Sequence, residues 1–302
     1  MWKPHEGCKL VIKSIETGKR VLSMHRLIIV KKSLSEDQKQ TLSQTLGSQI
    51  TASEGCFEAR PEQLPDVSLL QAASEKYSAD IYALPETFEP SKVKLVVSDM
   101  DSTLINIECV DEIADFAGVK PEVSAVTEAA MRGELDFAGS LLERVKLLSG
   151  LDEFALQRVY DERLQLNPGA EEMLAGLKAQ DIKFALVSGG FTFFTDRLKA
   201  RLGLDYALSN TLEIIDGKLT GRVTGDIVGA EAKAEFLLAK CEELNILPSQ
   251  ALAVGDGAND LKMMAVAGLG VAYHAKPKVQ QEADCAINYS GLDGLLPLIL
   301  KN

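Results

Sequence analysis

Short, unalternated apolar runs punctuate the chain beyond residue 90: Val93–Val97, Phe184–Val187 and Leu252–Val254. Aliphatic runs of this length, without polar alternation, suit parallel strands covered on both faces. Each leads into small or acidic residues, namely Ser98-Asp99, Ser188-Gly189-Gly190 and Gly255-Asp256-Gly257. In an open parallel sheet, ligands bind beyond the carboxyl ends of the strands, where these residues fall. Between the first two runs, residues 107–177 read as helical, with Leu141, Leu142, Val145 and Leu148 at helical spacing. That stretch is too long for a simple crossover and predicts a helical cap over the site. Asp216-Gly217, between Leu212–Ile215 and Lys218–Thr220, predicts a hairpin.

Residues 1–88 follow a different pattern. Short strands are expected at Lys9–Ile12 and Leu27–Val30, and amphipathic helices at Glu36–Leu46 and Val67–Tyr77. The segment Leu84-Pro85-Glu86-Thr87-Phe88-Glu89-Pro90 then reads as a linker. The pattern predicts a small α+β domain over 1–88. It also predicts an α/β domain over 91–302, a doubly wound parallel sheet with a cap inserted after its first strand.

Composition narrows the partners. A formal net charge of −12 offers no basic stripe for nucleic acid. No apolar run approaches the roughly 18–20 residues of a membrane-spanning helix, and MWKPHEGCKLVIK lacks the apolar core of a signal peptide. Cys8, Cys56, Cys109, Cys241 and Cys285 are scattered and odd in number, which argues against zinc or a disulfide framework. The expected location is the cytoplasm. An anionic substrate would need local cations to overcome the global field.

Four short motifs carry candidate chemistry. Asp99-Met100-Asp101 places two carboxylates at a strand end, a costly arrangement unless a cation lies near. Alone, the pair is equally two solvated turn residues. An EF-hand is excluded because Thr103 and Leu104 occupy positions that need a charged or amide residue and then glycine. Gly255-Asp256-Gly257 with Asn259 and Asp260 supplies further carboxylates, although GDG by itself is a turn. Ser188-Gly189-Gly190 offers a hydroxyl and backbone N–H donors of the kind that hold phosphate oxygens. Lys233 opens a helical run at Ala234–Leu244 and by itself reads as a surface charge.

In order and placement, the four motifs resemble the haloacid dehalogenase superfamily of phosphohydrolases over about residues 91–298. MDSTLINIECVDEIA, MRGELDF, SGGFTFF, VGDGANDL and GLGVAYHAKP resemble its members that act on O-phosphoserine in the last step of serine biosynthesis. The resemblance implies Asp99 as the nucleophile that becomes an aspartyl phosphate, and Asp101 as general acid and then base. It implies Mg²⁺ held by the Asp99 carboxylate, the Asp101 main-chain carbonyl and Asp256, with Asp260 orienting metal waters. Ser188, Gly189, Lys233 and Asn259 would hold the phosphoryl group. In the cap, Glu108 would take the substrate ammonium and Arg144 its carboxylate. Met131 and Phe137 are either cap core or substrate contacts. The implied partner is a small phosphomonoester. Residues 1–88 resemble an ACT-like module, for which serine sensing, homodimer formation or neither stays open. A phosphosugar or phosphohomoserine esterase and an inactive regulatory relative are the alternatives, and intact Asp99, Asp101, Lys233 and Asp256 argue against the second.

Overall fold

Two sheets organise the chain, which the computed structural model describes over residues 25–53 and 55–299. The expected strand Lys9–Ile12 lies outside the described residues. The first sheet contains β1 (Leu27–Val30), β2 (Ile50–Ser53), β3 (Cys56–Ala59) and β4 (Asp80–Ala83), in the order β2-β3-β1-β4. All of its pairs are antiparallel. Helices α1 (Glu36–Leu46) and α2 (Val67–Tyr77) complete a βαββαβ unit. Helix α1 starts at a capping box in which Ser35 Oγ accepts from Gln38 N and Gln38 Oε1 accepts from Ser35 N, at 3.2 and 2.9 Å.

Alternation explains why all four residues of β1 are buried. Leu27 and Ile29 pack under the helices with Leu42, Leu46 and Tyr77. Ile28 and Val30 face the other way and join Cys56, Tyr82, Leu292, Leu295 and Leu298 in the cluster that runs through the large domain. The expected linker is packed into that cluster too, through Leu84 and Phe88. The buried Asp80 carboxylate locks the junction, accepting N–H bonds from Asn288, Tyr289 and Ser290 at 2.6, 3.0 and 2.8 Å.

The second sheet is built from β5 (Leu95–Ser98), β6 (Lys183–Phe191), β7 (Tyr206–Ile215), β8 (Lys218–Thr224), β9 (Ala251–Gly255), β10 (Leu269–Tyr273) and β11 (Cys285–Ile287). Its order is β11-β10-β9-β5-β6-β7-β8, parallel except for the β7–β8 hairpin. This is the Rossmann-like doubly wound core. The hairpin turns at Asp216 and Gly217, both at positive φ. After β8 the chain crosses back to lay β9 on the far side of β5, so the strand order reverses between Asp99 and Asp256.

Five helices follow β5: α3 (Cys109–Ala117), α4 (Lys120–Met131), α5 (Phe137–Leu147), α6 (Phe154–Glu162) and α7 (Ala170–Ala179). These helices occupy the stretch expected to form the cap, about 107–177. An Ile105–Leu166 bridge and the Asn106 N–H bond to Gln165 O at 3.0 Å join the chain before α3 to the chain after α6. Helix α7 packs against β6 and the segment Leu292–Leu298. Leu141, Val145 and Leu148 are buried as their spacing predicts, whereas Leu142 is exposed. The remaining helices, α8 (Thr192–Leu202), α9 (Ala230–Glu243), α10 (Leu261–Val266) and α11 (Pro277–Glu282), follow the later strands. Among the described residues, no helix is long and apolar enough to cross a membrane.

Candidate active site

Strand β5 ends at Ser98, and the chain enters an irregular turn over Met100–Leu104. Asp99 N donates to Val254 O at 2.9 Å, tying the turn to β9. The Asp99 carboxylate is almost fully buried and accepts from Met100 N at 2.7 Å. Two residues on, Asp101 Oδ1 accepts from Cys109 N at 2.9 Å, and Oδ2 accepts from Ser188 Oγ at 3.2 Å. Burial pushes the Asp101 carboxyl up, against the lowering pull of these donors. A carboxyl raised in this direction is the better suited to proton donation.

Strand β6 runs on through Ser188-Gly189-Gly190 to Phe191, where the expectation placed a strand end. Its register with β7 shifts between Val187 and Phe191, which turns this stretch into the site. Gly190 N donates to Ser188 Oγ at 2.8 Å. A Cβ on Gly190 would sit 2.7 Å from Asp101 Oδ2, so only glycine permits this approach.

Lys233 is the largest departure from a residue-by-residue reading. It lies inside α9, fully buried, with Nζ 2.7 Å from both Asp99 Oδ1 and Asp260 Oδ1. Burial alone would lower its pKa, but the Asp260 and Asp99 carboxylates overcome that and raise it. Asp260 also accepts from Gly257 N at 3.1 Å. Asp256 Oδ1 accepts from Thr103 Oγ1 at 3.1 Å. Burial and the Asp260 charge push Asp256 up to about 6. Burial, then the Asp260 charge, also push Asp99 well above the usual carboxylate range, against Lys233.

These shifts test whether a metal fits. Carboxylate oxygens of Asp99, Asp256 and Asp260 lie within 4.8 Å of one another. One ammonium cannot neutralise three carboxylates, and the Asp260 charge adds to burial in lifting Asp99 and Asp256. An all-oxygen donor set with excess charge fits a hard divalent cation.

The cap faces this cluster. Glu108, at the N-cap of α3, is exposed, and its Oε1 accepts from Ser102 Oγ at 2.7 Å. Burial first, and the Asp101 charge next, push its carboxyl up to about 8. Arg144, on α5, donates through Nε to Ser140 O at 3.3 Å. Burial lowers its pKa, while the charges of Asp111, Glu108 and Asp101 act to raise it. The Phe137 ring lies against Gly189 and Gly229. Met131 is 67% exposed and is not cap core. Asn259 is half-buried, beside Gly257.

Asp99, Asp101, Ser188, Lys233, Asp256 and Asp260 therefore come together from β5, β6, α9 and the loop after β9, and Glu108 reaches the nucleophile turn through Ser102. Sequence reasoning missed the contacts of Ser102, Thr103 and the Cys109 N–H, and the close approach of Gly190 to Asp101. The signals existed for Ser102 and Thr103, polar residues inside the DSTL run. No local signal marks a backbone N–H or predicts which of two glycines approaches Asp101.

The haloacid dehalogenase-like hydrolase family model matches residues 93–268. A phosphoserine phosphatase from Polaromonas sp. is 58% identical over 214 residues, covering 69% of this chain and 91% of the relative. The unliganded crystal structure of a probable phosphoserine phosphatase from Vibrio cholerae superposes with a TM-score of 0.80 at 42% identity, covering 92% of this chain and 87% of that one. A phospho-aspartyl intermediate analogue of phosphoserine phosphatase matches with a TM-score of 0.65 at 42% identity, over 69% of this chain and 99% of that one. The chain belongs to the haloacid dehalogenase-like hydrolases and, within them, to the phosphoserine phosphatase family.

Proposed function

We propose that this chain is a Mg²⁺-dependent phosphomonoesterase that hydrolyses O-phosphoserine through an aspartyl phosphate on Asp99. The observation that carries it is the pairing of buried Asp99 with buried Lys233 at 2.7 Å, while Asp101 is held alongside by Ser188 and the Cys109 N–H. A carboxylate so placed is a nucleophile with fixed direction, and its neighbour is a proton donor two residues away.

Asp99 attacks phosphorus, forming the acyl-phosphate bond as the phosphorus–oxygen bond to serine breaks. Asp101 gives its proton to the departing serine oxygen, since an alkoxide leaves poorly. It then takes a proton from the water that cleaves the acyl phosphate, which returns Asp99 and releases phosphate. Lys233, Ser188, the Gly189 N–H and Asn259 hold the phosphoryl oxygens. Asp99, the Asp101 main-chain carbonyl and Asp256 would hold Mg²⁺, with Asp260 orienting its waters, and the bound ion would neutralise phosphoryl charge and keep Asp99 ionised.

Glu108 and Arg144 supply one anion and one cation for the amino-acid end of the substrate, matching its ammonium and carboxylate. Cys56, Cys109, Cys241 and Cys285 are free and buried, which suits a reducing, cytoplasmic setting. The test is phosphate release from a panel of phosphomonoesters with and without Mg²⁺. Phosphoserine should lead the panel and excess chelator should stop turnover. Equal rates on phosphosugars, or full activity in chelator, would contradict the reading.

A further inference from the structure

Ser102 occupies a conformation that side-chain-bearing residues avoid, with φ at +56° and ψ at 0°. A left-handed non-glycine residue carries backbone strain, and such strain clusters where the geometry serves function. Here the turn closes on itself. Ser102 N donates to Ile107 O at 3.2 Å, and Ser102 Oγ donates to Glu108 Oε1 at 2.7 Å. Glu108 is the N-cap residue of α3, yet its side chain makes no cap hydrogen bond to that helix. It bends back to Ser102, toward the nucleophile turn.

We propose that Ser102 is a specificity-positioning residue, whose left-handed turn aims its hydroxyl at one oxygen of Glu108 and so presents the other to the substrate ammonium. The inference rests on Glu108 as the ammonium partner. A glutamate carries up to about 2 kcal/mol of side-chain rotamer freedom. A hydroxyl fixed by the backbone of the nucleophile turn removes much of that freedom before substrate arrives. It also sets the distance between the ammonium and the phosphorus, because Ser102 follows Asp99 by three residues. Pre-ordering of this kind raises affinity for the amino-acid end without touching the phosphoryl chemistry.

The test uses the full chain with Mg²⁺ and compares kcat/KM for phosphoserine with kcat/KM for p-nitrophenyl phosphate, which has no ammonium. Wild type should favour phosphoserine, and if it does not, the function reading fails before this inference is reached. Ser102→Gly fits the left-handed turn without strain and deletes only the hydroxyl, so its thermal midpoint should match or exceed wild type. Its phosphoserine preference should fall roughly 10- to 150-fold, as expected on losing a hydrogen bond to a charged group, mostly through KM. Ser102→Ala should lose the same preference while keeping the strain. In a Glu108→Gln background, Ser102→Gly should cost little further preference, since the group it orients has lost its charge. An unchanged preference in both single variants of a phosphoserine-selective enzyme would overturn the inference. So would equal losses on the two substrates, or the full loss repeated in the Glu108→Gln background.

Discussion

Lys233 Nζ lies 2.7 Å from Asp99 Oδ1, and the same ammonium reaches Asp260 Oδ1 at the same distance, all three residues being buried. Removing the cation leaves two unpaired carboxylates in the core. Lys233→Met should therefore cost about 3–5 kcal/mol of stability, as for a broken buried ion pair, read by urea unfolding in chelator. Added Mg²⁺ should restore part of the loss by binding the carboxylates in the folded state. A variant as stable as wild type without metal would show that the Lys233 ion pairs contribute little to the fold.

Asp101 is held by Ser188 and the Cys109 N–H at 3.2 and 2.9 Å. If it protonates the leaving oxygen, its loss should matter most where that oxygen is most basic. Asp101→Asn should slow phosphoserine by roughly 10²–10⁴-fold and slow p-nitrophenyl phosphate, whose phenolate departs unaided, by far less in the first half-reaction. Burst kinetics separate that step from hydrolysis of the intermediate. A uniform loss in both bursts would leave Asp101 with a positioning role.

The Glu108 carboxyl, pushed up to about 8, predicts a pH signature. Below that value the group holds a proton and cannot pair with an ammonium. As pH rises through it, the anion forms. The ratio of kcat/KM for phosphoserine to that for p-nitrophenyl phosphate should climb between roughly pH 7 and 9. In Glu108→Gln the ratio should be flat over that range. A ratio that rises equally in Glu108→Gln would trace the titration to another group.

The junction between the sheets predicts a cost for deleting the first one. Every residue assigned to chemistry lies after Val93, yet Asp80 satisfies three backbone N–H groups of residues 288–290. The same deletion uncovers the apolar cluster shared with Ile28, Val30 and Tyr82. Starting the chain at Pro90 should retain phosphatase chemistry but lower stability and promote aggregation. Asp80→Ala should destabilise by roughly 2–4 kcal/mol, since each stranded donor costs about 1–3 kcal/mol and water satisfies some of them. Equilibrium unfolding measures this, and wild-type stability in Asp80→Ala would mean the junction contributes little.

Much of this arrangement was legible in the sequence, and the reasons are physical. Glu36–Leu46 and Val67–Tyr77 form helices over the predicted residues. The parallel strands announce themselves because strands buried on both faces must be apolar throughout. The first begins two residues late, at Leu95, because Pro90–Lys92 forms a 3₁₀ turn that holds Val93 out of the strand. Lys233 reads as a surface charge because its partners are 134 and 27 residues away along the chain, and a long-range ion pair leaves no local pattern. Leu142 sits at a spacing that predicts burial yet is exposed, because the buried stripe of α5 is narrower than its run of leucines.

The central claim is the covalent step on Asp99, and trapping tests it most directly. Enzyme turning over phosphoserine with Mg²⁺ is quenched in acid, reduced with borohydride and mapped by mass spectrometry. An acyl phosphate is reduced to an alcohol, so the account predicts homoserine at position 99, absent without substrate and absent in Asp99→Asn. Turnover that continues with position 99 unmodified, or with the reduction product at another carboxylate, would contradict it.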